Sequence, residues 1–105
     1  KETNAMRIAI FFVLQLIAAN ACLSFEKVMV REECKAKWGD DYSMQLYCVE
    51  EQTTAGKQVD KIYQGNSTGT TESNILAKCQ GKWPKDYTMV IYCYDEQLAA
   101  FKALQ

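Results

Sequence analysis

Apolar residues fall into two kinds of pattern along the chain. Ile8 to Ala19 form a nearly unbroken apolar run of 12 residues, interrupted only by Gln15. Further on the apolar positions become periodic. Val30, Cys34 and Trp38 recur every four residues, as do Ile75, Cys79 and Trp83, which places each set on one face of a helix. Trp38-Gly39 and Trp83-Pro84 then break the pattern by different routes. Glycine readily takes the left-handed conformation that ends helices, whereas proline cannot continue one and biases the residue before it away from helix. Beyond each break, Asp41 and Asp86 are placed to cap a second arm by accepting N–H bonds from its first turn. Met44, Tyr47/Cys48, Ala55, Val59 and Ile62 continue a helical stripe in the first half, and Met89, Tyr92/Cys93, Ala100 and Leu104 in the second. The first long arm is expected over about 41–63. Gln64 to Asn74 is polar, contains glycine and has no periodicity, so it reads as a surface linker, with Thr71 or Ser73 capping the next helix.

The two halves are copies of one unit. Shifted by 45 residues, 34–55 aligns with 79–100, and Cys, Lys, Trp, Asp, Tyr, Met, Tyr, Cys, Glu, Gln and Ala recur in register, 11 identities in 22 positions. A fixed-period repeat of this kind means one supersecondary unit used twice, each unable to bury its apolar face alone. The unit reads as an antiparallel helical hairpin.

Each unit carries Cys-x13-Cys, with one cysteine before the turn and one after it. The paired arms of a hairpin bring those side chains together, so Cys34–Cys48 and Cys79–Cys93 are the expected bridges. Four cysteines allow three connectivities, and the repeat favours the pairing within each unit. Closing a loop of about 15 residues contributes roughly 3 kcal/mol per bridge in the chain-entropy model. The alternatives are a four-thiolate metal site and a redox pair. Zinc sites use closely spaced C-x2–4-C knuckles and redox pairs use C-x-x-C, and neither spacing occurs among these four.

Met6-Arg7, the apolar run and the small residues Ala19-Asn20-Ala21 follow the order of a secretory signal peptide cleaved after Ala21. At 12 residues the run is short for a membrane span, which needs about 20; a buried core helix is the other reading. Residues 1–5 would be an upstream extension. Cleavage would leave Cys22 at the new N-terminus, the position at which bacterial lipoproteins are acylated, so Cys22 is the candidate lipidation site. The preceding Ala19 and Asn20 depart from the usual lipoprotein pattern. Otherwise Cys22 is removed with the leader or left as the odd thiol. The expected organisation is therefore a leader over 1–21, hairpin one over 22–63, a linker over 64–74 and hairpin two over 75–105.

Composition narrows the chemistry. The chain has 105 residues, 12 Lys+Arg against 13 Asp+Glu, and no histidine. Balanced charge without a basic cluster argues against nucleic acid as partner. Lack of histidine removes His-based triads and mixed Cys/His metal sites. Glu51-Gln52 and Glu96-Gln97 could supply a pair of catalytic carboxylates only if a pocket held both; a solvated helix face is the plainer reading of both pairs. Trp38/Trp83, Tyr42/Tyr87, Met44/Met89 and Tyr47/Tyr92 read as a small core around each turn. Lys37 and Lys82 lie where the helix dipole favours a cation. Asn66-Ser67-Thr68 matches the N-glycosylation pattern, relevant only in a eukaryotic secretory pathway. No catalytic, metal or cofactor-binding residue is expected. The last helix carries a second apolar stripe, with Val90, Tyr94, Leu98 and Phe101 as the candidate interaction surface.

At the level of C-x3-W-x2-D-Y-x-M-x2-Y-C followed by Glu-Gln, over about 30–56 and 75–101, both halves resemble a short repeat of uncharacterised bacterial exported or membrane-linked proteins. That resemblance implies a bacterial envelope setting and brings no activity or ligand; Gly39 departs from the version with Pro after Trp. The expectation is an all-α tandem of two disulfide-stapled hairpins, exported to the periplasm or beyond. It would be non-catalytic, binding a protein partner or itself, and would touch a membrane only through a lipidated Cys22 or an uncleaved leader. A small secreted enzyme inhibitor using the 64–74 loop is the alternative.

Overall fold

A computed structural model describes residues 27–105. The leader over 1–21 and the lipidation candidate Cys22 lie outside the described residues. Those described are helical throughout, without a strand: α1 over 27–38, α2 Tyr42–Gly65, α3 Thr71–Lys82 and α4 Tyr87–Ala103. No helix among them is long and apolar enough to cross a membrane.

The two turns form as the sequence dictates, by different means. α1 ends on Gly39 at φ +56°, whose N–H donates to Lys35 O at 2.8 Å. That φ is costly for any residue bearing a Cβ. α3 instead ends at Trp83, φ −127°, whose N–H donates to Cys79 O, and Pro84 prevents a further turn. Asp41 and Asp86 then cap α2 and α4, each accepting from the N–H three residues on, Met44 and Met89, at 3.2 Å. Bridges Cys34–Cys48 and Cys79–Cys93 tie the helices across these turns, with Cα–Cα distances of 5.7 and 5.8 Å. These disulfides fit an oxidising compartment.

The linker is shorter than its polarity suggested. Thr70 caps α3 through its hydroxyl, which accepts from Ser73 N at 3.2 Å, and Ser73 Oγ in turn accepts from Gly69 N at 3.1 Å. Thr71, Glu72 and Ser73 thus form the first helical turn rather than loop. At the other end Asn66 Nδ2 donates to Ile62 O at 2.8 Å and closes α2. Only 66–70 connects the halves. A polar first turn gives no apolar periodicity, so pattern alone places the boundary too late.

The two units share one core. Val59 from the far half of α2 packs with Leu76, Cys79, Val90 and Tyr94, and Ile62, Ile75, Trp83, Tyr87, Ile91 and Leu98 surround them. The first long arm therefore runs past its own unit and supplies a wall of the second. Leu76 and Val90, each 2% exposed, contribute about 1.5–3 kcal/mol apiece by burial. The candidate interaction stripe on α4 is corrected here: Val90 and Tyr94 are core residues, because α2 and α3 cover them within the chain. Leu98 is half-buried against the same core, and of the four only Phe101 faces solvent.

Candidate interaction surface

The seam between the units is built on Gln52 of α2, which caps α4 from outside its own unit. Gln52 Oε1 accepts from Tyr87 N at 2.7 Å, while Nε2 donates to Asp86 Oδ1 at 2.8 Å and reaches Thr88 Oγ1 at 3.3 Å. The first N–H groups of a helix have no partner within it, so this carboxamide satisfies a donor that the local sequence cannot. Partial burial pushes the Asp86 carboxyl up. Hydrogen bonds from Thr88, Gln52 and the Met89 N–H, with the charge of Lys37, outweigh that and hold it below the ordinary aspartate value.

Beside this contact the Tyr87 ring lies on the backbone of α2 at Gly56, where an added Cβ would come within 3.5 Å of Tyr87 Cδ2. One ion pair crosses the seam, Lys85 Nζ to Glu33 Oε1 at 3.5 Å. An open hollow of about 290 Å³ follows it, lined by the Cys34–Cys48 bridge, Lys37, Gln52, Trp83, Pro84 and Asp86 among others. Its polar groups are largely engaged with one another across the seam.

The carboxylates weighed for acid–base chemistry are not brought together. Glu51 borders a separate hollow with Lys37, Trp38, Tyr47 and Thr88. Glu96 is on α4, where Oε1 accepts from the Tyr92 hydroxyl at 3.1 Å, and this bond raises the tyrosine pKa. Cys34, Cys48, Cys79 and Cys93 are all bonded in disulfides, so they are not available as thiolate ligands. No group of three or more His, Cys, Asp or Glu placed to hold a metal occurs among the described residues.

No protein-family model, curated protein or solved structure matches the chain. Its functional reading rests on its own surface.

That surface is rich in large apolar side chains. Tyr42 is 75% exposed, Leu46 60% and Leu104 84%, and Tyr47, Tyr63, Tyr92 and Phe101 are also exposed. The reading of Tyr42, Tyr47 and Tyr92 as turn-core residues is therefore corrected: all three are exposed, whereas Trp38, Trp83, Met44 and Met89 are half-buried, and of the four tyrosines only Tyr87 is drawn inward. The linker, at five residues, folds back on its flanking helix ends and presents no long loop of the kind an inhibitor reading invoked. Two features were not read from the sequence. Lys37 and Lys82 each lie over the adjacent tryptophan ring, 5.6 and 6.0 Å from its centroid, a cation–π contact signalled by the repeated Lys-Trp pair. Gln52, on a helix face that reads as solvated, instead bonds across the two units; its recurrence in a repeat of otherwise structural residues is the available clue.

Proposed function

We propose that the chain is an exported, non-catalytic module of two disulfide-stapled helical hairpins whose work is to bind protein. The observation that carries this reading is the set of exposed aromatic and leucine side chains on α2 and α4. Scattered single apolar residues are normal on a surface. Here they recur in both units of a scaffold held by two bridges, which limits the entropy lost when a partner docks. Export rests on the leader pattern over 1–21 and on the compartment that disulfides need, and the bacterial setting on the resemblance of the repeat.

Two measurements test it in an exporting bacterial host. Intact mass with and without reduction should give a chain beginning at Cys22 with four cysteines protected from alkylation, and a lipid increment if Cys22 is acylated. A photo-crosslinking residue at Leu46 or Leu104 should give covalent protein adducts that the same residue at exposed Lys57 does not. Absence of adducts from both positions would overturn the binding reading, and an uncleaved chain with five reactive thiols would overturn export.

A further inference from the structure

We propose that the partner is a second copy of this chain, joined head to tail by repeating the seam that joins its two halves. This rests on the protein-binding reading above. Within the chain, the first unit offers Gln52 and the backbone at Gly56, and the second receives them with Asp86, Tyr87 and Thr88. The 45-residue repeat places both halves of the seam in both units. Among the described residues only one pair is used internally.

The unused halves are matching and open. Forty-five residues after Gln52 stands Gln97, exposed on α4; forty-five before Asp86, Tyr87 and Thr88 stand Asp41, Tyr42 and Ser43, exposed at the start of α2. Leu46, the counterpart of Ile91, and Leu104, the counterpart of Val59, are two of the most exposed apolar residues of the described chain. In the internal seam their counterparts lie in or against the core.

Charge supports the same register. The internal pair Lys85–Glu33 maps onto Asp40 of one copy and Lys78 of the next, so both signs are reversed together and attraction is kept. Lys37, which lowers the Asp86 pKa, maps onto Lys82 opposite Asp41. Opposed charges at matched positions fix register and partner choice.

Three substitutions make the outer seam weaker than the inner one. Gly56 is replaced by Phe101, so Tyr42 of the next copy would meet a ring rather than bare helix, and the core positions Val90 and Leu76 are replaced by Gln45 and Arg31, so Leu104 would meet a more polar face than Val59 does. Rings offset on one another still attract, but the helices stand further apart. A reversible association follows, and because its two patches differ it grows as a chain or closes as a ring.

The test uses the oxidised chain recovered from an exporting host. Sedimentation over roughly 1 µM to 1 mM, the span suited to a small interface, should show concentration-dependent growth beyond a dimer. Leu46→Asp and Leu104→Asp remove opposite patches and should each weaken association about 100-fold or more by placing a charge in the seam. Mixed in equal amounts, the two variants should form a 1:1 dimer and nothing larger, since one keeps each patch. Both substitutions are at exposed positions, and matched circular dichroism and protected disulfides confirm folding. A photo-crosslinker at Leu104 should attach near Arg31 or within residues 45–49 of another copy, the counterparts of the residues around Val59. A wild-type chain that stays monomeric, variants that still associate, or a mixture that does not pair would overturn the proposal. Crosslinks to residues 1–26 of the same copy, or to another protein alone, would also overturn it, and the latter would leave the binding reading standing.

Discussion

Replacing Gln52 with alanine isolates the seam from everything else in the fold. The side chain makes one bond to a charged acceptor, Asp86 Oδ1 at 2.8 Å, and accepts one from Tyr87 N at 2.7 Å. A net bond to a charged group contributes about 1.5–3 kcal/mol and a neutral one about 0.5–1.5. Both are only partly buried, and water replaces part of what is lost. Alanine also returns a few tenths of a kcal/mol in helix propensity. The expected cost is therefore about 1.5–2.5 kcal/mol. Gln97→Ala, at the same place in the second unit, removes an exposed side chain and should change stability by less than about 0.5 kcal/mol. Urea unfolding of the oxidised protein at low micromolar concentration, followed by circular dichroism, measures both. The Asp86 pKa should rise in Gln52→Ala, since one of its lowering partners has gone. Equal costs for the two substitutions, or an unmoved Asp86 titration, would refute the assignment of Gln52 as a second cap of α4 beside Asp86.

Three further outcomes follow from the same geometry. Asp86 has a folded-state pKa below its unfolded value, so its contribution is present above about pH 4 and lost as pH falls through the lower folded value. Asp86→Asn should remove that acid-side loss in unfolding titrations and cost on the order of 1 kcal/mol at neutral pH, because the bonds from Gln52 and Thr88 lose a charged acceptor. Gly39→Ala should destabilise by about 1 kcal/mol or more because of its positive φ. Gly56→Ala, by contrast, meets Tyr87 at ordinary contact distance and should be neutral or stabilising by up to about 1 kcal/mol; thermal melts of the pair read the difference. Replacing Cys79 and Cys93 together by alanine should lower stability by about 3 kcal/mol or more, because Cys79 is also buried in the core; an unchanged denaturation midpoint would contradict that placement.

Most of the architecture was legible because its signals are local. The four-residue spacing of Val30, Cys34 and Trp38, the break at Gly39 or Pro84 and the caps at Asp41 and Asp86 each act within a turn or two of chain. What was not legible depends on contacts far apart in sequence. Val90 and Tyr94 looked like a spare stripe because the far half of α2, which covers them, could not be placed from the pattern. Gln52 looked solvated because its partners lie more than 30 residues away. The start of α3 was set by Thr70 and Ser73 bonding to their own neighbourhood, which carries no hydrophobic period.

The repeat itself separates these two kinds of residue once each shared position is given its role. The cysteines form bridges within a unit, the Lys-Trp pair closes the end of its first helix, and the aspartate caps its second. Those roles are filled twice, once per unit. The glutamine and the tyrosine after the aspartate differ, because they meet across units: Gln52 bonds Tyr87 N, and the Tyr87 ring rests on the helix that carries Gln52. A chain of two units needs that contact once, at one glutamine and one tyrosine. Gln97 and Tyr42 are nevertheless present in register and exposed. An exposed tyrosine adjoining Leu46, opposite in register to a glutamine adjoining Phe101, is more than the internal fold requires. Each element the described fold leaves unused is one that a further unit in line would engage, and we assign that place to the first hairpin of another copy.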